Sequence, residues 1–319
     1  MAPPLGPGSP GAGPRLPAGH VAGSPRHDDA AEVATLLAAY ELAHEGAATT
    51  TAEGLAREWA GADLAADSVL VRGPDGRAVA LLDTVPSRAQ LLSAYAFVAP
   101  GAAEADALAA YLAGWAEARA SRLAAGAPVT LRNYVPAGDA TLAGLLAGRG
   151  YGLARTVYRM EAELAAPPPV PAWPAGVGVR DYRGAADEPA AYEAFELGST
   201  GMWGRPGNTF EQWLGHVAGM AGEVRLAEAA GEVVGMSIVR AAADAGGAGL
   251  VRSLRVVPAW RRRGLGAALL AEAFRACFAA GRRRVALTVD GAATTGAPEL
   301  YLRAGMRVTR RYLVLERSL

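Results

Sequence analysis

The sequence has no lysine: all 31 basic residues are arginines, balanced by 31 acidic residues, so the net charge is zero. That balance argues against a protein that coats nucleic acid, which would carry a strongly basic surface. The arginine bias, with 40 glycines and 21 prolines, reads as GC-rich coding rather than as function. A single cysteine, Cys277, excludes an internal disulfide. No unbroken run approaches the roughly 18 apolar residues of a membrane span. The N-terminus also lacks a basic region followed by an apolar core, so a cytoplasmic protein with no membrane partner is expected. Four histidines, His20, His27, His44 and His216, show no metal-ligand spacing, and no metal site is expected.

What is present is an apolar chain, 51% hydrophobic over 319 residues, enough for two domains with real cores. Residues 1–19 are mostly Pro, Gly, Ala and Ser and read as a disordered tail. A proline-rich stretch, 165–174, reads as a semi-rigid linker between domains at 20–164 and 175–319. The two flanks repeat each other at an offset of 155. Gly150, Arg155, Glu161 and Leu164 fall on Gly305, Arg310, Glu316 and Leu319, and Glu117 and Gly126 on Glu272 and Gly281. A duplicated domain follows, each copy of mixed α/β class.

The copies differ in charge. Residues 20–164 carry 11 arginines against 17 acids, whereas 170–319 carry 19 against 14. Between Gly249 and Arg284 there are nine arginines and only Glu272, which points to a partner with phosphates.

That cluster holds the informative motif. In Leu254-Arg-Val-Val-Pro-Ala-Trp-Arg-Arg-Arg-Gly-Leu-Gly-Ala267 an apolar strand ends at a proline, and an arginine-rich turn opens a long helix through two glycines. Gly264 and Gly266 let backbone amides approach a ligand, the helix start supplies unpaired N–H groups, and Arg261, Arg262 and Arg263 add charge. A dinucleotide fingerprint fits poorly, because Leu269 stands at the third glycine position and six residues separate strand from glycine. A Walker loop fails for want of Gly-Lys-Ser/Thr. Nucleic acid is disfavoured as a partner, since no aromatic platform is interleaved with the arginines.

Arg261-x-x-Gly264-x-Gly266 resembles the acyl-CoA pyrophosphate loop of the GNAT (GCN5-related) N-acetyltransferases. Leu300-Tyr-Leu-Arg-Ala-Gly305-Met306 is similar to that family's helix-then-turn signature, with Met in place of Phe. Two copies on one chain resemble the tandem, mycothiol synthase-like members. The resemblance implies acetyl-CoA as cosubstrate and a small-molecule amine as acceptor, in a monomer or dimer. It places Leu254 and Val256 on the strand whose main chain binds pantetheine, wraps Arg261, Arg262, Arg263, Gly264, Leu265, Gly266 and Ala267 around the pyrophosphate, and makes Tyr301 the acid that protonates the leaving thiolate. A phenol is suited to that step, since attack on a thioester needs a proton for the sulfur. Trp203 and Glu211 lie in the region that lines the acceptor pocket in that family.

Two departures stand out. Ala293 occupies the slot where the family often has asparagine, and the fourth strand of the second copy lacks the acid that commonly serves as base. Water near Ser253, a more distant acid such as Glu228, or capture of an already neutral amine all remain open. In the first copy, the equivalent of the glycine loop reads Ala99-Pro-Gly-Ala-Ala-Glu104-Ala-Asp106, with no arginine, and Leu146 falls at the tyrosine position. The first copy is therefore expected to be degenerate. Cys277 and the histidines are expected to serve packing or surface roles.

Overall fold

The computed structural model describes residues 15–86, 90–124, 126–203, 209–217, 224–241 and 247–319. The expected tail therefore falls largely outside the described residues. The chain divides into two compact units, one made of residues up to Ala154 with Tyr312–Leu319, the other of Arg155–Arg311.

In the first unit the order is β1 (Val21–Gly23), α1 (Ala30–Glu45), α2 (Ala52–Trp59), α3 (Leu64–Asp67), β2 (Ser68–Arg72), β3 (Ala78–Pro86), β4 (Leu91–Val98), α4 (Ala105–Leu123), β5 (Thr130–Pro136) and α5 (Ala140–Gly148). The strands pair in sequence order, antiparallel except for β4 with β5. Alternation along the strands gives the sheet two apolar faces. Val71, Leu82, Leu92 and Leu131 pack on Leu108 and Leu112 of α4. Leu70 and Leu81 pack on Val33, Leu37 and Trp59 of α1 and α2.

The second unit begins with β6 (Gly152–Glu163), whose residues from Arg155 lie within it, and continues with β7 (Val177–Asp181), α6 (Glu188–Gly198), α7 (Phe210–Val217), β8 (Val224–Ala229), β9 (Glu232–Ala241), β10 (Gly249–Val256), α8 (Leu265–Ala279), β11 (Arg284–Asp290) and α9 (Ala297–Arg303). Thr209 caps α7 reciprocally: its hydroxyl accepts from the Gln212 N–H at 3.2 Å, and the Gln212 side chain accepts from the Thr209 N–H at 3.0 Å. The β8–β9 hairpin turns at Ala230 and Gly231, both at positive φ, as a tight two-residue turn requires.

Each sheet is completed by a strand from the other half of the sequence. Residues 157–163 of β6 pair antiparallel with β11, Val157 opposite Asp290 and Glu163 opposite Arg284. Residues 312–318 of the last strand, β12 (Arg307–Ser318), pair antiparallel with β5, where Arg132 meets its register partner Glu316 at 2.6 Å. The sequence boundaries 20–164 and 175–319 keep each terminal strand in its own half, so the units differ from them by this exchange. The reason lies in the repeat itself. The two terminal segments match at the same offset, and Gly150 and Gly305 turn into them with φ of 87° and 85°. The stretch 165–174 carries no helix or strand, and the Arg275 guanidinium holds the Pro168 carbonyl at 3.0 Å.

Among the described residues no helix is long and apolar enough to cross a membrane, and no group of three or more His, Cys, Asp or Glu could hold a metal ion. Cys277 is fully buried in α8, and burial pushes its thiol up to about 11, so it stays protonated and serves packing.

Candidate active site

In the second unit the parallel strands β10 and β11 are in register only at Gly249 with Val285 and Leu250 with Ala286. Beyond these pairs they diverge, and a bulge in β10 between Val251 and Ser253 turns the strand further. The wedge opens a cavity of about 600 Å³ lined by both strands, the turn before α8, the loop after β11, the α6 end and α9. From Val251 on, the β10 main chain has β9 on one side and the cavity on the other.

The walls differ by face. Leu254 and Val256 pack with Leu265 and Leu269 of α8, and Val285, Leu287 and Val289 pack in the cluster that holds Tyr301. Strand alternation therefore turns Ser253 and Arg255 of β10, and Thr288 and Asp290 of β11, to the opposite face. Arg255 confirms that side: it lies under α6, with its guanidinium 5.0 Å from the Phe195 ring centroid.

The turn into α8 leaves the helix start without a side-chain cap. Gly264 caps the helix at φ 88°, no side chain caps it, and a Cβ built on Gly264 would meet nothing within 4 Å. The space in front of the first amides is thus open, and helix geometry leaves those N–H groups without intrahelical partners. Gly266 is tighter: a Cβ there would stand 3.3 Å from Leu300. Arg262 also adopts a left-handed backbone, φ 62°, which carries the chain round the turn.

The predicted residues do not all play the same part. Leu254, Val256, Arg261, Arg262, Gly264, Gly266, Ala267, Tyr301 and Trp203 line the cavity. Leu265 is fully buried, so only its backbone is available, and Arg263 lies outside the lining with its guanidinium 5.1 Å from the Trp260 ring centroid. Arg261 is a clamp: its guanidinium donates to the carbonyls of Val256, Gly198 and Thr200 at 3.2, 3.1 and 3.0 Å, fastening the turn to the end of α6. The Leu254 carbonyl likewise accepts from Arg255 at 3.1 Å, and the register with β9 turns the N–H groups of Leu254 and Val256 toward the cavity. Glu211 is fully exposed in the first turn of α7 and is not part of the cavity. Glu228 is held by Arg180 at 2.5 Å and does not line the cavity.

Tyr301 is 8% exposed, and burial raises its pKa against the opposing pull of Arg255. A phenol so placed stays protonated and can donate. Ser253 is 6% exposed with its hydroxyl unpartnered, an arrangement that costs about 1–3 kcal/mol unless a ligand or water completes it. Asp290 closes the β11 wall. Its carboxylate accepts from the Ala292 N–H at 2.9 Å and meets Arg155 at 3.4 Å. Arg155 in turn covers Trp203, guanidinium carbon to ring centroid 5.2 Å. Asp290 is a lining residue that sequence reasoning did not single out, because only the tertiary wedge brings it into one cavity with Ser253.

The first unit repeats the frame without the site. Its β4 and β5 are in register for four residues, Leu91 with Thr130 to Ala94 with Asn133. Immediately beyond, Tyr95 and Tyr134 stack across the gap with ring centroids 5.2 Å apart and planes 7° from parallel. The turn into α4 has six residues against eight before α8, and its left-handed cap is Glu104, φ 60°.

These features agree with comparisons to known proteins. The acetyltransferase (GNAT) family matches residues 189–306. The chain is 35% identical to a GCN5-related N-acetyltransferase from Sphaerobacter thermophilus, with a TM-score of 0.86 over 95% of this chain and 97% of that one. A tandem GNAT protein from the clavulanic acid biosynthesis pathway shares the fold at 18% identity, TM-score 0.69, covering 94% and 98% of the two chains. A glucosamine N-acetyltransferase region of a fungal multi-domain β-N-acetylglucosaminidase does so at 15% identity and TM-score 0.70, covering 95% of this chain and 38% of that one. No curated protein matches the sequence. The chain belongs to the GNAT family and is an acyltransferase of tandem architecture.

Proposed function

We propose that the second unit binds acetyl-CoA and transfers its acetyl group to the primary amine of a small molecule by direct attack, with Tyr301 as general acid. The observation that carries this reading is the wedge between β10 and β11, which runs from the uncapped start of α8 to Tyr301. The amides at Gly264, Leu265, Gly266 and Ala267 take the pyrophosphate, with Arg262 as the adjoining charge. The N–H groups of Leu254 and Val256 hold the pantetheine arm and polarise the thioester carbonyl. As the tetrahedral intermediate collapses, the sulfur takes the phenolic proton of Tyr301. Trp203 lines the acceptor side, and the single, protonated Cys277 suits a protein of the cytoplasm. The test is thiol release from acetyl-CoA in the presence of a panel of primary amines. Release only with amine supports transfer, whereas binding without release in any mixture would make the chain a non-catalytic acyl-CoA binder.

One acetyl-CoA per chain is expected by titration calorimetry, because the first unit's turn carries no arginine and Glu104 and Asp106 at the start of α4 would repel a diphosphate. The stoichiometry should survive Glu104→Ala with Asp106→Ala and vanish when Arg261, Arg262 and Arg263 are all changed to alanine. A stoichiometry near two would show that the first unit holds acyl-CoA without the loop.

A further inference from the structure

Resting on the acetyl-transfer reading above, we infer that Ser253 and Asp290 form the seat of the acceptor amine and that Asp290 takes its proton. Among the described residues lining the cavity there are six arginines and one carboxylate, Asp290. Arginines suit phosphates and a developing oxyanion but repel an amine arriving as ammonium, so Asp290, which also meets Arg155 at 3.4 Å, is the one lining group whose charge attracts it. Position supports the same assignment. Asp290 and Ser253 stand on opposing walls, four and three residues beyond the last strand pair, Ala286 and Leu250. Both project to the face opposite α8, so an amine between them approaches the thioester from the side away from the α8 turn. The Ser253 hydroxyl, more than nine-tenths buried and unpartnered, is an acceptor waiting for an N–H.

The ammonium donates one N–H to Asp290 and one to Ser253. It gives a proton to the Asp290 carboxylate, and the freed lone pair attacks the thioester carbonyl carbon, forming the C–N bond while the carbonyl π pair moves to oxygen. Reforming the carbonyl breaks the C–S bond. Sulfur leaves with the Tyr301 proton, the phenolate recovers a proton from the nitrogen, and Asp290 releases its own to water. One ammonium and one thioester thus yield one acetamide, one thiol and one proton.

The experiment compares two acceptors on the full chain: an alkylamine that the wild type acetylates, and hydroxylamine, whose nitrogen is neutral at neutral pH. Asp290→Asn keeps an oxygen for the Ala292 N–H and so preserves the turn. Its kcat/KM should fall about 10²- to 10⁴-fold for the alkylamine but by less than about tenfold for hydroxylamine. Ser253→Ala should raise KM about tenfold for both acceptors with little change in kcat, as for one lost hydrogen bond. Acetyl-CoA affinity should be unchanged in both variants. Equal losses on the two acceptors, no loss at all, or weakened acetyl-CoA binding in Asp290→Asn would overturn the assignment. A wild-type chain that releases no thiol with any amine overturns instead the transfer reading on which it rests.

Discussion

Replacing Gly264 with glutamate is expected to abolish acetyl-CoA binding in a chain that still folds. Gly264 sits at φ 88°, where an L residue costs about 1–2 kcal/mol, a minor fraction of the stability of a domain this size. The first unit supplies the precedent, since Glu104 caps α4 in the same left-handed conformation at φ 60°. The substitution therefore rebuilds in the second unit the cap that the first already carries. Nothing within 4 Å would meet the new Cβ, so the side chain has open space to occupy, in front of the amides proposed to bind pyrophosphate. A carboxylate there both fills that space and repels the diphosphate. Calorimetry on the variant, with circular dichroism to establish folding, should show no binding, while Gly264→Ala, which adds strain without charge, should bind with reduced affinity. Wild-type affinity in a folded Gly264→Glu chain would mean that the cofactor lies elsewhere.

Tyr301→Phe should leave acetyl-CoA affinity intact and lower kcat by about 10²- to 10⁴-fold, the usual worth of a positioned proton donor. The ring belongs to the apolar cluster with Leu270, Phe274, Leu287 and Met306, and phenylalanine preserves those contacts. What is lost is a phenol held protonated by burial, so the leaving sulfur must depart as thiolate or find water. Thiol-release kinetics at saturating acetyl-CoA measure the effect, and wild-type turnover in the variant would remove Tyr301 from the chemistry. The two variants separate binding from catalysis: the first silences the calorimeter, the second only the assay.

Much of the second unit was legible in the residues. The strand that ends before Pro258 and the long helix that opens at Leu265 stand where the residue pattern places them, because these signals act within a few residues. The glycine turn was legible for the same reason. The parts played by its side chains were not. Arg261 reads as a phosphate ligand, yet it clamps carbonyls more than sixty residues away in sequence.

By itself, the sequence determined that the chain is a duplicated α/β protein, that its second half carries an arginine-rich glycine turn and that its first half lacks one. Tertiary structure alone decided three further matters. Whether β6 pairs with β11 or its own half's β5 cannot be read from segments that repeat each other, since equivalent strands present equivalent edges; only the assembled sheets choose. Where β10 and β11 part after two pairs, while β4 and β5 stay in register for four, depends on register between strands separated by a helix, which no local pattern encodes. And Ser253 and Asp290, unremarkable in their own strands, line one cavity only because the parallel strands that carry them diverge and open a space between them.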